Sequence, residues 1–425
     1  MFKRELSDKI LAHFDSHEVI FLLGTRQTGK TTLSHLLAEQ SHYPENRIWY
    51  FDFEDKQYRD QFNNISVSIL KQILRLEGID ENQPSLIIFD EIQLLDDPSN
   101  LLKLLHDHFA KLKIIATGSS SLQIKSKFSD SLAGRKRIYQ VEPLSFNEFL
   151  LFRGEERLRK LRQMQKKGEL DQQAQAAMIS PFHQQFTGLL EEYLIYGGYP
   201  EVVLTPDHKE KIIKLDSIIS SYIQKDIRDI ANIENLSAYN QLLEYLAINA
   251  GAQFKQTSAQ QLIGIATATL NKYLNLLQET FIVEELRPFF SNKNKEISKT
   301  RKIFFKDTGV NNLLLKNFNP LNLRRDAGAL YETYVFNALS RNKEVNSSLY
   351  FYRTQSKSEI DFIRVKNAEY SLYEVKSGKN QKIPRAMIEF VKKYADTLAI
   401  KQQFVINQSS YLEKNGVKFL PAYLF

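Results

Sequence analysis

Five short apolar runs recur along the first third of the chain, and stretches with helical spacing separate them. The runs are VIFLLG (19–24), RIWYFDF (47–53), SLIIFDE (85–91), KIIATGSS (113–120) and KRIYQVEPL (136–144). Between them, apolar residues recur three and four positions apart, as at Leu33, Leu36 and Leu37. Strands that alternate with amphipathic helices predict a parallel sheet covered by helices on both faces.

The pattern becomes helical beyond residue 145. A charged, glutamine-rich stretch (154–177) predicts a solvated helix or a partly mobile insertion, and YGGYP (196–200) predicts a break. Residues 236–306 predict three helices and then two strands around the loop SNKNKEISKT, which is the order of a winged helix-turn-helix. The tail predicts a helix around GALYETYVFNALS and strand pairs after it.

Composition narrows the class of protein. A length of 425 residues suggests two to four domains, and a formal charge of +7 mildly favours a polyanionic partner such as nucleic acid. The absence of cysteine excludes disulfides and cysteine-based metal sites. The charged N-terminus does not resemble a signal peptide, and no apolar run approaches the ~18 residues of a membrane span. We therefore predict a soluble cytoplasmic protein without a membrane partner.

The stretch GTRQTGKT fits the P-loop pattern G-x-x-x-x-G-K-[ST], between an apolar strand and a helical pattern. Its backbone amides and the following helix N-terminus would face phosphate oxygens. We expect Lys30 to reach the β and γ phosphates and the Thr31 hydroxyl to ligate Mg²⁺. The residues predicted to contact nucleotide are Gly24, Thr25, Gln27, Thr28, Gly29, Lys30, Thr31 and Thr32.

The run LIIFDEIQ supplies a complementary acid pair about 60 residues after the P-loop. Four apolar residues place Asp90 and Glu91 at the carboxyl end of a buried strand, where Asp90 can hold Mg²⁺, partly through water. Glu91 can then polarise the attacking water as a general base. Together with the P-loop, the pair predicts ATP hydrolysis with ATP and Mg²⁺ as cofactors.

Three further polar residues are candidates for the same reaction. Thr117 and Ser119 end the next strand and can orient the water or sense the γ phosphate, although helix capping by serine explains them equally well. Arg135 precedes the last strand and could stabilise transition-state charge in a neighbouring subunit, which would require a homo-oligomer. The alternative is an arginine at the surface or on the phosphate backbone.

These motifs, with SLAGR and PLSFNEFL after them, resemble the AAA-type predicted ATPases of bacteria and archaea. The resemblance implies a winged helix and a C-terminal domain of unknown function. YGGYP is similar to the glycine–proline element of the related signal-transduction ATPases, which implies that Gly198 and Pro200 border the nucleotide. YIQKDI (222–227) and KDTG (306–309) also look like family segments. Nearly the whole chain is covered, except the insertion at 154–177.

The predicted winged helix has polar and basic residues where nucleic acid would dock. The third helix offers Thr267, Thr269, Asn271 and Lys272, and the loop offers Lys293, Lys295, Lys299, Arg301 and Lys302. Short polar side chains beside a basic loop suit phosphate contacts and groove docking, with DNA as the partner. Winged helices also mediate protein contacts and act as lids on ATPase sites, so this alternative stays open.

A hairpin in the tail brings two acids together. EIDFIRVK and EYSLYEVK flank Asn367–Ala368, and a two-residue turn there gives paired residues whose numbers sum to 735. Asp361 then lies opposite Glu374, and two carboxylates that close repel each other unless a cation lies between them. We predict a Mg²⁺ site, with Lys376 orienting water or stabilising phosphate charge and Glu332 completing the shell. The alternative is an ordinary charged hairpin.

This pattern of a helix acid, then Asp361, then Glu374-Val375-Lys376 resembles the PD-(D/E)XK nucleases, a fold that many members keep without cleaving. The predicted fold class is α/β, with a restriction-endonuclease-like C-terminal domain. We predict a P-loop AAA-type ATPase core (1–150), a helical lid with the charged insertion (151–235), a winged helix (236–310) and the nuclease-like domain (311–425). The predicted function is ATP hydrolysis coupled to nucleic-acid binding or cleavage. The alternative is an ATP-dependent regulatory scaffold whose tail does not cleave.

Overall fold

A computed structural model describes residues 2–63, 65–119, 134–170, 172–223, 227, 233, 235–290, 300–379, 381–408 and 411–425. The chain forms two compact units. Unit 1 consists of Met1–Pro143, Ser217–Glu234 and Asn275–Phe281, and unit 2 consists of Leu144–Asp216, Asn235–Leu274 and Ile282–Phe425. Within the described ranges, no helix is both long and apolar enough to span a membrane.

Unit 1 is built on a five-stranded sheet in the order β2-β3-β4-β1-β5. The strands are β1 (Val19–Leu23), β2 (Ile48–Asp52), β3 (Ser85–Asp90), β4 (Leu112–Gly118) and β5 (Lys136–Gln140). Every neighbouring pair is parallel. The five predicted strands and their parallel arrangement are therefore confirmed.

Helices cover both faces of this sheet. They are α1 (Glu5–Leu11), α2 (Lys30–Glu39), α3 (Lys56–Phe62), α4 (Val67–Leu76) and α5 (Pro98–His108). One apolar core joins Phe21 and Phe89 to residues of α3, α4 and α5. The other joins Leu22 and Ile88 to residues of α1 and α2. Alternate residues of β1 and β3 thus pack into opposite cores, which explains why these two central strands are buried at every position.

The helices that follow lead into the middle of the chain. They are α6 (Phe146–Phe152), α7 (Glu156–Lys166), α8 (Gln172–Met178), α9 (His183–Tyr196), α10 (Pro200–Leu204), α11 (His208–Ser221), α12 (Leu236–Ile248), α13 (Gln256–Ile263) and α14 (Thr267–Glu279). The charged stretch at 154–177 is helical, as one of its two readings predicted. It is not simply solvated, because Leu158, Leu161 and Arg162 are buried and Arg162 Nε donates to the Tyr423 carbonyl at 2.9 Å.

Unit 2 contains an eight-stranded mixed sheet in the order β12-β13-β11-β10-β9-β8-β6-β7. Its strands are β6 (Val283–Pro288), β7 (Lys302–Phe305), β8 (Ser347–Arg353), β9 (Glu359–Lys366), β10 (Glu369–Val375), β11 (Ala399–Asn407), β12 (Leu412–Lys414) and β13 (Val417–Pro421). Helices α15 (Thr308–Leu314), α16 (Ala327–Arg341) and α17 (Arg385–Tyr394) belong to the same unit.

The two strands predicted for the winged helix are part of this sheet. β6 pairs with β7 in antiparallel orientation, as predicted, and also with β8 in parallel orientation through Arg287 and Pro288. Residues on both sides of the predicted boundary at 310 therefore share one sheet and one compact unit. The boundaries of the four predicted domains remain predictions.

Candidate functional site

The P-loop of unit 1 connects β1 to α2 in a conformation that requires glycine. A Cβ atom on Gly24 would lie 2.1 Å from the Val141 carbonyl oxygen, which is far inside van der Waals contact. Gly29 (φ 87°) and Gln27 (φ 62°) are both left-handed. The loop is held from outside by Arg4, a buried residue that sequence reasoning missed, whose guanidinium donates to the carbonyls of Thr28 and Glu142 at 2.9 and 2.8 Å.

Lys30 begins α2, and its ammonium group lies inside the loop. Nζ donates to the carbonyls of Gly24 and Thr25 at 3.2 and 3.0 Å, and the side chain is buried. The positive charge therefore lies at the N-terminus of a ten-residue helix, beside amides that favour anions. This is the arrangement that the motif predicts for phosphate.

Asp90 lies between two hydroxyl groups at the carboxyl edge of the parallel sheet. Its Oδ2 accepts from Thr31 Oγ1 at 2.7 Å, and its Oδ1 accepts from Thr117 Oγ1. Since β1, β3 and β4 run in the same direction, the ends of all three meet at this edge. The structure thus brings together the two predicted magnesium ligands and one predicted catalytic threonine.

Glu91 follows Asp90 in a left-handed backbone conformation (φ 51°), which turns the chain sharply at the strand end. Its amide donates to Thr117 Oγ1 at 3.1 Å, and its carboxylate accepts from Gln93 Nε2. Gln93 Nε2 also donates to Ser119 Oγ at 3.1 Å. Gln93 is a second residue that sequence reasoning missed, and it connects the predicted base to the predicted sensor residue Ser119.

Arg135 lies at the amino ends of the strands of this sheet, opposite the ends that carry the P-loop. It precedes β5, whose first residue pairs with Val19 at the start of β1, whereas the P-loop follows the end of β1. Its Nε donates to Asp107 Oδ1 at 2.9 Å. His106 and Arg135 together hold the pKa of Asp107 below its usual value. Arg135 is therefore not brought to the nucleotide loop of its own subunit, and its action in a neighbouring subunit stays a prediction.

Gly198 and Pro200 lie in unit 2, where YGGYP contacts the KDTG segment. The Gly198 amide donates to Asp307 Oδ2 at 2.7 Å, and the Val310 amide donates to Oδ1 at 3.0 Å. A Cβ on Gly197 would lie 2.1 Å from Asp307 Oδ1, and its φ of +78° also favours glycine. The close approach of Asp307 and the left-handed backbone account for Gly197, the first glycine of YGGYP. That Gly198 and Pro200 border the nucleotide stays a prediction.

Asp307 makes the stability of this contact depend on pH. Burial raises the pKa of Asp307 to about 6, although backbone amides and Arg341 oppose the rise. Tyr193 also faces it, and Arg341 is itself 3.6 Å from a carboxylate oxygen of Glu148. Because the folded pKa exceeds the unfolded value of 3.8, the stabilisation is complete below pH 4 and is lost as pH rises through 6.

We therefore expect unit 2 to lose about 3 kcal/mol of stability between pH 4 and pH 7, relative to Asp307→Asn. Hydrogen-exchange protection of the α9 amides, corrected for intrinsic exchange rates, measures the loss in both proteins. The exposed Asp396→Asn is the matched control and should follow the wild type. Parallel pH profiles for the wild type and Asp307→Asn would contradict this assignment.

The hairpin in the C-terminal part of unit 2 has the predicted register. Tyr373 pairs with Phe362 and Glu369 with Lys366, so the paired numbers sum to 735. Asn367 (φ 51°) and Ala368 (φ 61°) form the two-residue turn in left-handed conformations. The same register places Asp361 and Glu374 opposite each other at the far end of the hairpin.

Both acids are buried and only partly hydrogen-bonded. Asp361 Oδ2 accepts from the Val375 amide at 2.8 Å, and Glu374 Oε1 is 2.6 Å from Lys376 Nζ. Glu374 Oε2 is buried without a hydrogen-bond partner. Burial, and then the Asp361 charge, raises the pKa of Glu374 to about 7, and burial also raises the pKa of Asp361. These are the electrostatics expected of acids that share a small site.

Glu332 faces Lys302, which the sequence pattern placed in the basic loop of the predicted winged helix. Lys302, predicted for the basic loop, is instead the first residue of β7 and is buried. Its Nζ is 3.7 Å from a carboxylate oxygen of Glu332 and 2.5 Å from one of Glu359. Burial raises the pKa of Glu332 to about 8, and Asp361 adds to the rise. Among the residues that the structure describes, no three histidine, cysteine or acidic side chains form a metal-binding group. The predicted shell with Glu332 as third ligand is therefore not assembled.

The other predicted nucleic-acid contacts are partly engaged within the protein. Arg301 is paired with Glu285 at 2.6 Å, Thr267 accepts from Gln260 at 2.5 Å, and Asn271 accepts from Gln256 at 3.3 Å. Lys272 is exposed and Thr269 is half-buried. The loop lysines Lys293, Lys295 and Lys299 lie outside the described residues. DNA contact by this face stays a prediction.

Three family models match successive parts of the chain. Residues 16–150 match an AAA domain, residues 187–321 match a domain of unknown function (DUF8612), and residues 327–425 match another (DUF4143). The insertion at 154–177 lies between the first two matches. The AAA match contains both the P-loop and the acid pair.

Relatives that match most of this chain occur in bacteria and archaea. An uncharacterized protein of Mycobacterium tuberculosis is 24% identical over 390 residues, which are 91% of this chain and 76% of that protein. An uncharacterized protein of Methanocaldococcus jannaschii is 25% identical over 352 residues, which are 82% of this chain and 72% of that protein.

Solved structures with partial similarity include the Walker-type ATPase of Pyrococcus abyssi, with 16% identity and a TM-score of 0.47 over 74% of this chain and 96% of that chain. The Aeropyrum pernix ORC1 protein in complex with DNA has 13% identity and a TM-score of 0.31 over 74% of this chain and 93% of that chain. The AAA match over residues 16–150 supports the coarse part of the prediction, an AAA-type P-loop ATPase domain in the N-terminal part of the chain.

Proposed function

We propose that this protein binds ATP with Mg²⁺ at the P-loop and hydrolyses it. The observation that carries the proposal is the hydrogen bond of 2.7 Å between Thr31 Oγ1 and Asp90 Oδ2, beside the buried Lys30 ammonium. A hydroxyl and a carboxylate at the sheet edge are the hard oxygen donors that Mg²⁺ prefers. The AAA match of residues 16–150 agrees with this function.

The residues of the loop fit the proposed ligands. The backbone at Gly24 leaves no room for a side chain, so the amides of the loop can approach phosphate closely. Thr31 and Asp90 would hold the metal ion, and Lys30 would contact the β and γ phosphates. When bound, Mg²⁺ supplies charge neutralisation on the β and γ oxygens.

We assign activation of the attacking water to Glu91, the acid that follows Asp90. Glu91 would accept the proton of the water as general base, and Gln93, which donates to its carboxylate, would fix its orientation. Thr117 contacts both Asp90 and the Glu91 amide, so it would keep the metal ligand and the base in register. Ser119 joins this group through its hydrogen bond from Gln93.

Replacement of Lys30 by alanine tests nucleotide binding directly. The variant loses a charge-assisted contact to phosphate, so we expect at least ~100-fold weaker ATP affinity. Titration of a fluorescent ATP analogue measures the change. Lys56→Ala removes an exposed lysine of the same unit and should bind like the wild type. Unchanged affinity in Lys30→Ala would refute the proposed site.

A second function is proposed for the tail of unit 2, because one observation favours it. Glu374 Oε2 is more than nine-tenths buried and unpartnered, opposite Asp361 in the hairpin register. Two carboxylates and a neighbouring ammonium group suit a divalent cation that holds a phosphodiester, with Lys376 stabilising charge on phosphate. We propose metal-dependent cleavage of nucleic acid here, within a fold similar to the PD-(D/E)XK nucleases.

The two sites would be coupled through nucleotide state. We propose that residues 236–306 act as a winged helix-turn-helix that contacts DNA, and that ATP controls access of nucleic acid to the tail. The competing proposal is an ATP-dependent scaffold that assembles as a homo-oligomer. Its tail would bind a partner without cleaving it. Cleavage assays with and without ATP distinguish the two.

A further inference from the structure

A buried lysine from outside the hairpin lies among its carboxylates. Lys302 has a relative exposure of 3% and packs its ammonium 5.4 Å from the Phe351 ring centroid. Its Nζ is 2.5 Å from Glu359 Oε1 and 3.7 Å from Glu332 Oε2. A charge buried this deeply is stable only with counter-ions, so Lys302 and these two acids form one unit.

The two counter-ions of Lys302 are not equivalent. Glu359 has both oxygens engaged, since Arg353 NH1 lies 2.8 Å from Oε2 while Lys302 holds Oε1. Each oxygen of Glu359 therefore already faces a cationic group, which disfavours a metal ion there. Glu332 is the more loosely held acid, because its only described ion pair is the longer contact to Lys302.

Two oxygens remain in the cluster once these pairs are assigned. Asp361 Oδ2 accepts from the Val375 amide and Glu374 Oε1 from Lys376, which leaves Asp361 Oδ1 and the buried Glu374 Oε2. They lie on adjacent strands at the end of the hairpin. Two carboxylates suit one Mg²⁺ ion, which keeps several waters and takes further oxygens from phosphate.

We propose that Lys302 is a positioning residue of this site, a built-in cation that pairs with Glu332 and Glu359 and so limits the site to a single divalent cation held by Asp361 and Glu374. The inference rests on the divalent-cation site proposed above. It replaces the expectation that Glu332 ligates the metal. It also makes the site composite, because Lys302 lies in the region matched at 187–321 and the acids lie in the region matched at 327–425.

Titration of the full-length protein with Mn²⁺ in the absence of nucleotide tests the inference, with Asp361→Asn defining the binding that belongs to this site. We expect one Mn²⁺ per chain in the wild type. Lys302→Met should bind Mn²⁺ about tenfold more tightly, because a nearby positive charge is removed and Glu332 becomes able to join the shell. The exposed Lys392→Met is the matched control and should bind like the wild type.

The double variant Lys302→Met/Glu332→Gln distinguishes the roles of Glu332 and keeps the test valid if Lys302→Met alone does not fold. It removes both partners of the ion pair, which is better tolerated than removal of one. We expect its Mn²⁺ affinity to be within about threefold of the wild type, because the net charge near the metal is restored.

Three results of these titrations would contradict the inference, each in a different way. Tenfold weaker binding by the double variant would identify Glu332 as a ligand and overturn the inference. Unchanged binding by a folded Lys302→Met would overturn it too, while the proposed metal site would stand. Absence of any binding that depends on Asp361 would remove the metal site and the inference together.

Discussion

Replacing Glu91 by glutamine should slow ATP hydrolysis at least ~100-fold while ATP affinity stays within about threefold of the wild type. Glutamine has the shape of glutamate, so the left-handed turn at residue 91 and the contact from its amide to Thr117 should persist. The variant loses only the ability to accept a proton from water. Lys30 and Thr31, which we assign to phosphate and metal, are unchanged.

Phosphate release at saturating ATP and equilibrium ATP binding, measured on the same preparation, separate the two steps. Glu39→Gln removes an exposed carboxylate of the same unit and should hydrolyse ATP at the wild-type rate. Normal turnover in Glu91→Gln would remove the base assignment but leave the binding site intact. Loss of binding would instead assign Glu91 to metal or phosphate contact.

The fold of unit 1 was accessible from sequence because buried parallel strands are apolar along their whole length. β1 and β3 are buried at every position, so VIFLL and SLIIFD stand out from the helices around them. The P-loop motif then identified β1 as the strand that leads into the nucleotide loop. The position of Asp90 between Thr31 and Thr117 followed from the common direction of the strands.

Unit 2 was predictable only where its contacts are local. The hairpin register followed from a two-residue turn at Asn367–Ala368, which leaves little freedom in pairing. The pairing of β6 with β8 joins segments that are distant in the chain, and nothing in either segment specifies the other. The predicted winged-helix strands therefore looked independent of the tail when they in fact continue its sheet.

The residues missed at the two sites differ in how they could have been found. Glu359 lies two positions before Asp361, so strand periodicity alone places it on the same face. Arg4 and Lys302 act across long sequence separations and have no local signal. Lys302 was assigned to the basic loop because a lysine beside other basic residues is ordinarily solvated, and only the pairing of β7 buries it.

Replacing Asp361 by asparagine should abolish metal-dependent cleavage of nucleic acid, with a loss of at least ~1,000-fold, because the metal ion supplies several kcal/mol of transition-state stabilisation. In the proposed hydrolysis, water adds to phosphorus, the bond to the leaving oxygen breaks, and the proton lost by the water is transferred overall to that oxygen. The metal held by Asp361 and Glu374 would carry the charge that develops on phosphate. Asparagine preserves the packing of β9 but removes one negative charge from the ligand set.

Single- and double-stranded DNA and RNA, incubated with Mg²⁺ or Mn²⁺, provide the test. Each substrate is tried without nucleotide, with ATP, and with ATP and the Glu91→Gln variant, which should hold the ATP-bound state. Asp396→Asn removes an exposed acid of the same unit and should cleave like the wild type. Cleavage that Asp361→Asn retains would assign it to another site or a contaminant. Absence of cleavage by the wild type in every nucleotide state would favour the scaffold, because both states of the proposed switch would have been sampled.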